Sequence, residues 1–167
     1  SRIVYDDAKT FFATVQEPYD VIISEPSNPW VSGVATLFSE EFYVRIASYL
    51  KPDGYLVQWV QLYETDMSII ASIMKALEKQ FPTYAIYSTD NTNVLIVATR
   101  ADTLPEPSDQ IFAASTLKKE LAVVGIGSLG DVQQRRIGDN RLLAPMFRAY
   151  PVPSNSDYFP FVDLNAP

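Results

Sequence analysis

Between residues 19 and 99 short apolar runs alternate with amphipathic stretches, and that alternation restricts the fold more than any other feature. YDVIIS (19–24), YLVQWVQL (55–62), TYAIYST (83–89) and NVLIVAT (93–99) read as strands. SEEFYVRIASYL (39–50) puts Phe42, Ile46, Tyr49 and Leu50 on one helical stripe behind a Ser39 cap, and KPDG stops it. TDMSIIASIMKALEKQF (65–81) is the clearest helix, capped by Thr65 or Asp66 and closed by Pro82. Upstream, RIVYDD reads as another buried strand and AKTFFATVQE as the helix after it. The order β-α-β-α-β-α-β-β predicts a mostly parallel α/β sheet that ends in an antiparallel hairpin turning at DNTN.

Residues 101–108, ADTLPEPS, read as a linker that divides the chain into a sheet-forming part, 1–100, and an extension, 109–167. The extension is expected to be helical, through DQIFAASTLKKELAVV and DVQQRRIGDNRLLAPMF, before a Pro-rich tail. It contains VVGIGSLG, where Gly125, Gly127 and Gly130 form a G-x-G-x-x-G pattern. A dinucleotide loop needs a strand before that pattern and a second strand after it. A Lys-rich helix precedes this one and RAYPVPSN follows, so the expected structure is a helix-to-helix turn.

The chain has 167 residues, no Cys and no His. Disulfides, thiol nucleophiles, Ser-His-Asp triads and the usual zinc sites are therefore excluded, and no metal is expected. Any catalyst must use carboxylates, Tyr, Lys, amides or a bound cofactor. The net charge of −7 comes without a basic cluster, which argues against a nucleic-acid partner. No apolar run approaches the ~20 residues that cross a bilayer, and no signal peptide is visible.

In parallel α/β sheets, ligands sit at the carboxyl ends of strands. Two acids stand there: Asp7 after the first expected strand and Glu25 after the second. The third strand ends near Gln58, Gln61 and Tyr63, which makes Gln58 and Tyr63 candidate substrate contacts. Spacing alone equally allows Asp7 to be a helix N-cap and the EPSNP segment to be a rigid turn. Trp30 lies inside that loop, where a large ring more often forms a pocket wall than a core.

DDAKTFF, YDVIISEPSNP, LFSEEFY and LKPDGYLVQW occur in that order. Together they resemble the second half of the polyamine aminopropyltransferases, the spermidine synthase family, over about residues 3–100. The similarity is greatest to the branch with an SEPSNPW loop and an N-T-D-D-x-P element near its end, for which NSDYFP (155–160) stands here. The resemblance implies a partial Rossmann-like sheet of the class I methyltransferase type. The donor would be decarboxylated S-adenosylmethionine and the acceptor a small cationic diamine such as putrescine, in the cytoplasm. Asp7 with Ala8 would hold the adenine. Glu25 would be the base beside the attacking amine, and Asn28 would occupy the place of the family's second loop acid. Asn28 hydrogen-bonds but accepts no proton, so half of the usual carboxylate pair is replaced. The family's diamine-gripping Tyr has no counterpart in STDNTN.

The family's first two strands also have no counterpart, and without them IVYD lacks a neighbour on either side. The expectation is therefore an incomplete sheet, inactive alone, with IVYD displaced, disordered or paired with another chain. The resemblance leaves room for a homodimer and for a membrane-spanning region upstream, which would place the site on the cytoplasmic side of a membrane. Two other readings remain open. One is an S-adenosylmethionine-dependent methyltransferase, which the Asn28-Pro29 pair favours. The other is a non-catalytic binding descendant.

Overall fold

Five strands form one mixed sheet in the order β1-β2-β4-β3-β5. They are β1 (Tyr19–Ser24), β2 (Leu50–Gln61), β3 (Thr83–Ser88), β4 (Asn93–Thr99) and β5 (Arg136–Asp139). The computed structural model describes residues 3–13, 18–27, 31, 33–63 and 65–165. Its helices are α1 (Ala8–Ala13), α2 (Glu40–Tyr49), α3 (Met67–Glu78), α4 (Ser115–Val123), α5 (Leu129–Gln134), α6 (Asn140–Ala149) and α7 (Phe161–Asn165). Short 3-10 helices occupy Val34–Phe38 and Asp109–Phe112. None of the described helices is long and apolar enough to cross a membrane.

The helix caps read from the sequence act where they stand, whereas KPDG, read as the stop between helix and strand, lies inside β2. The Ser39 hydroxyl accepts from the Phe42 N–H at 3.2 Å and starts α2. Asp66, rather than Thr65, caps α3 by accepting from the Ser68 and Ile69 amides. β3 and β4 pair antiparallel around the 90–93 turn, whose Asp90 carboxylate gathers Thr92 and Asn93 donors. The alternation in β2 then sorts its faces. Leu56, Gln58 and Val60 turn toward α2 and α3, joined by Val94, Ile96 and Ala98 of β4. Phe38, Tyr43, Ile46, Ile73, Leu77 and Phe81 close this core, each at most 1% exposed. Burying one such side chain contributes roughly 1.5–3 kcal/mol, so this face holds the fold together.

The α/β class is as expected, but the sheet is less parallel. Among the described strands only β1–β2 pairs parallel; β2–β4, β3–β4 and β3–β5 are antiparallel. The IVYD segment forms no strand, and Ile3 and Tyr5 are 78% and 97% exposed. A strand without neighbours has no ladder to satisfy its backbone, and water satisfies it instead. The expected helix over 131–147 is also interrupted, because Arg136–Asp139 leaves it to pair with the outer side of β3. Gly138 permits the turn back into α6: a Cβ there would lie 3.1 Å from Leu143. Residues beyond the linker thus complete the same sheet, while α6 and α7 pack on α3.

The opposite sheet face is thinly covered. Val21, Val57, Leu95 and Val97 line an apolar cavity of about 540 Å³ whose other wall includes Leu104, Pro105 and Val132. The Gly125 region is the expected helix-to-helix turn. Gly125 adopts φ 74°, and the Ile126 N–H reaches back to the Leu121 carbonyl at 2.9 Å. Ser128 and Asp131 then form a capping box for α5.

Candidate functional site

The carboxyl ends of β1 and β2 lie side by side because the two strands run parallel, with Ser24 opposite Gln58. Glu25 follows directly on Ser24. It is exposed, while Pro26 beside it is buried and pins the chain as it leaves the strand. The sequence reading places this carboxylate where a ligand would sit; the described structure leaves it open to solvent. Among the described residues it makes no hydrogen bond or ion pair, so its charge is not spent internally. Asn28, Pro29 and Trp30 lie outside the described residues, and so do their expected roles.

Gly33 has φ 83°, a left-handed conformation that a residue with Cβ adopts only under strain. Its carbonyl accepts from the Thr36 hydroxyl at 2.8 Å, and the Val34 N–H donates to Val31, also at 2.8 Å. These bonds wind the chain into the 3-10 helix Val34–Phe38.

Gln58 does not face a substrate. It is fully buried on the helix-covered side, its Oε1 accepting from the Tyr43 hydroxyl at 2.6 Å and its Nε2 donating to the Leu37 carbonyl at 3.0 Å. Burial raises the Tyr43 pKa far above its ordinary value, against a smaller opposing effect of Gln58, so Tyr43 stays a protonated donor. Both ends of the Gln58 amide are thereby engaged. The expected substrate contact is corrected to an internal link between β2 and the 3-10 helix, because the period of two in β2 turns residue 58 inward with Leu56 and Val60. Tyr63, the other expected contact, lies outside the sheet. It stands two residues past the end of β2 and is half exposed.

Asp7 acts as the N-cap of α1. Its Oδ1 accepts from the Thr10 N–H at 3.1 Å, and its carbonyl accepts from Phe11 at 2.8 Å. The carboxylate is exposed, so capping leaves one face of it open to a ligand. The side chain of Ala8 lies outside the described residues. α1 is held by Phe12, stacked on Tyr49 at 5.0 Å and edge-on to Tyr19 at 6.3 Å, which ties it to the start of β1 and the end of α2. No group of three or more His, Cys, Asp or Glu able to hold a metal occurs among the described residues.

Asn155 is the residue that sequence reasoning did not single out for a role. It is 1% exposed, and its Nδ2 donates to the Ala35 and Phe38 carbonyls at 3.0 and 3.2 Å. Its Oδ1 accepts from the Val162 N–H at 3.1 Å. An Asn in a Pro-rich tail looks like an ordinary turn residue, and its burial depends on contacts more than 100 residues away.

Comparison with known proteins agrees with this architecture. The spermine/spermidine synthase domain matches residues 1–96. A polyamine aminopropyltransferase of Leptospira biflexa is 33% identical over 85 residues, which is 51% of this chain and 30% of that protein. One from a Hydrogenobaculum species is 30% identical over 87 residues, covering 52% and 31%. The chain thus spans under a third of the length of these relatives. A probable spermidine synthase structure from Corynebacterium glutamicum superposes with TM-score 0.64 at 16% identity, over 93% of this chain and 54% of that one. Human methyltransferase-like protein 13, solved with SAH, gives TM-score 0.50 at 18% identity, over 87% and 65%. Both structures share the fold.

Proposed function

Because this chain belongs to the spermine/spermidine synthase domain family, we propose that it supplies the acceptor side of an aminopropyl-transfer site. The observation that carries this reading is the unspent Glu25 carboxylate at the tip of β1, beside the end of β2. The donor in this proposal is decarboxylated S-adenosylmethionine and the acceptor a diamine such as putrescine, in the cytoplasm.

The transfer is a direct displacement. The amine lone pair forms the new C–N bond as the C–S bond breaks, and its electron pair returns to sulfur, releasing neutral methylthioadenosine. The proton lost by nitrogen goes to Glu25. An exposed carboxylate also attracts a dication from solvent, and the bound diamine itself then excludes water from the acid. Asn28 offers a hydrogen bond that orients the acceptor, and Tyr63 lines its approach. Asp7, with Ala8, holds the donor's adenine at the start of α1. A second reading, methyl transfer from S-adenosylmethionine, draws on the Asn28-Pro29 pair that follows the same strand.

The test is product analysis with the whole gene product. Decarboxylated donor and putrescine should yield methylthioadenosine, and Glu25→Gln should lower turnover roughly 10²-fold, since it removes a positioned base. S-adenosylhomocysteine formed only from S-adenosylmethionine would establish the second reading instead. If neither product forms, the catalytic readings fall and a binding role replaces them.

A further inference from the structure

We propose that two buried side-chain amides, Gln58 and Asn155, are positioning residues that clamp the 3-10 helix Val34–Phe38 beside the tip of β1. Its catalytic consequence rests on the aminopropyl-transfer reading; the clamp itself does not. A five-residue 3-10 helix leaves its last carbonyls without partners inside the helix. Water cannot supply a partner at Phe38, which is fully buried, and has only partial access at Leu37. Gln58 reaches the Leu37 carbonyl from the sheet, and Asn155 reaches the Ala35 and Phe38 carbonyls from the tail.

Each amide is itself held by groups that meet only in the folded chain. The Tyr43 hydroxyl fixes Gln58 Oε1, and Gln58 is the register partner of Ser24, the residue before Glu25. The Asn155 backbone bridges two helices: its N–H donates to the Ser72 carbonyl at 3.2 Å, and its carbonyl accepts from the Glu40 N–H at 3.0 Å. An apolar filler would occupy the same volume without choosing where the 3-10 helix sits. Amides aimed at orphaned carbonyls permit one placement and penalise the others, because a displaced carbonyl becomes buried and unpaired. The clamp therefore sets the downstream anchor of the connection that leaves Glu25. It couples that anchor to a tail more than 100 residues away in sequence.

Hydrogen exchange on this chain separates a clamp from general stabilisation. Gln58→Met, close in shape, and Asn155→Ala should each speed exchange of the 34–38 amides roughly tenfold, the scale of one net hydrogen bond. Phe147→Leu, a buried change on α6 that touches neither amide and is matched in Tm loss, should leave those amides within about twofold. Tyr43→Phe is the mild variant that keeps the fold; it frees one end of Gln58 and should raise exchange a few-fold at the same amides. In the whole gene product, Gln58→Met should lower kcat about tenfold without moving the donor KM, because Asp7 lies on another element. Exchange that rises evenly along the chain, or stays unchanged at 34–38, would overturn the clamp. A changed exchange pattern with unchanged kcat would overturn its positioning role. An inactive wild type would refute the transfer reading alone, since the exchange pattern decides the clamp independently.

Discussion

Lys75→Met should destabilise the protein by about 2 kcal/mol, whereas Lys79→Met, at the C-cap of the same helix, should cost about 0.5. The Lys75 Nζ donates to the Tyr150 and Val152 carbonyls at 2.6 and 2.8 Å, strapping the tail across the helix. A hydrogen bond from a charged donor contributes roughly 1.5–3 kcal/mol. Two adjustments lower the sum of two such bonds. The Tyr150 carbonyl also accepts from the Val152 N–H at 2.8 Å, so it keeps a partner. The half-buried strap also lets water reach the Val152 carbonyl in part. Met preserves the aliphatic stem, so packing changes little. Lys79 instead pairs with Glu40 while 52% exposed, and such pairs are worth ~0–1 kcal/mol. Urea unfolding with linear extrapolation measures both losses, and m should stay constant because the buried area does not change. Equal losses for the two variants, or a Lys75→Met loss below about 0.5 kcal/mol, would refute the reasoning.

Two further outcomes follow from the same contacts. Glu40 is partly buried, which by itself would raise its pKa, but hydrogen bonds from Lys79 and Ser154 outweigh this and hold it below its usual 4.5. A depressed folded-state pKa means that the contribution is present above pH 4.5 and lost as the pH falls through the folded value. Stability of the wild type should therefore fall more steeply below pH 4.5 than that of Glu40→Gln; parallel curves would remove Glu40 from the account. Gly125→Ala should cost about 1 kcal/mol in unfolding free energy, because its φ of 74° strains any residue with Cβ. The nearest atom to a Cβ there is 3.7 Å away, so a much larger loss would mean that packing, not backbone strain, governs the site.

Features carried by short sequence spans were legible. Ser39 and Asp66 cap helices, residues 83–99 form a hairpin, and the glycines at 125–130 join two helices rather than cradle a phosphate. The site was legible only in outline. Glu25 stands at a strand tip as its position after YDVIIS requires, and Asp7 caps the helix that follows it. Gln58 was misassigned because nearness to a strand end does not tell which face a side chain takes. β5 was read as helix because four residues, RIGD, carry no apolar alternation.

The amino-acid order alone determined which stretches between residues 19 and 99 become the main strands and helices, and which acid follows β1. Those choices depend on hydrogen bonds and apolar spacing within a few residues. Only the folded molecule decided that RIGD joins the sheet, that IVYD does not, and that Gln58 and Asn155 turn inward onto one 3-10 helix. An edge strand exists only where a neighbour offers unpaired backbone groups, and a buried amide is tolerable only where distant carbonyls await it. Both conditions are met by chain segments far apart in sequence, so no local window of residues contains them.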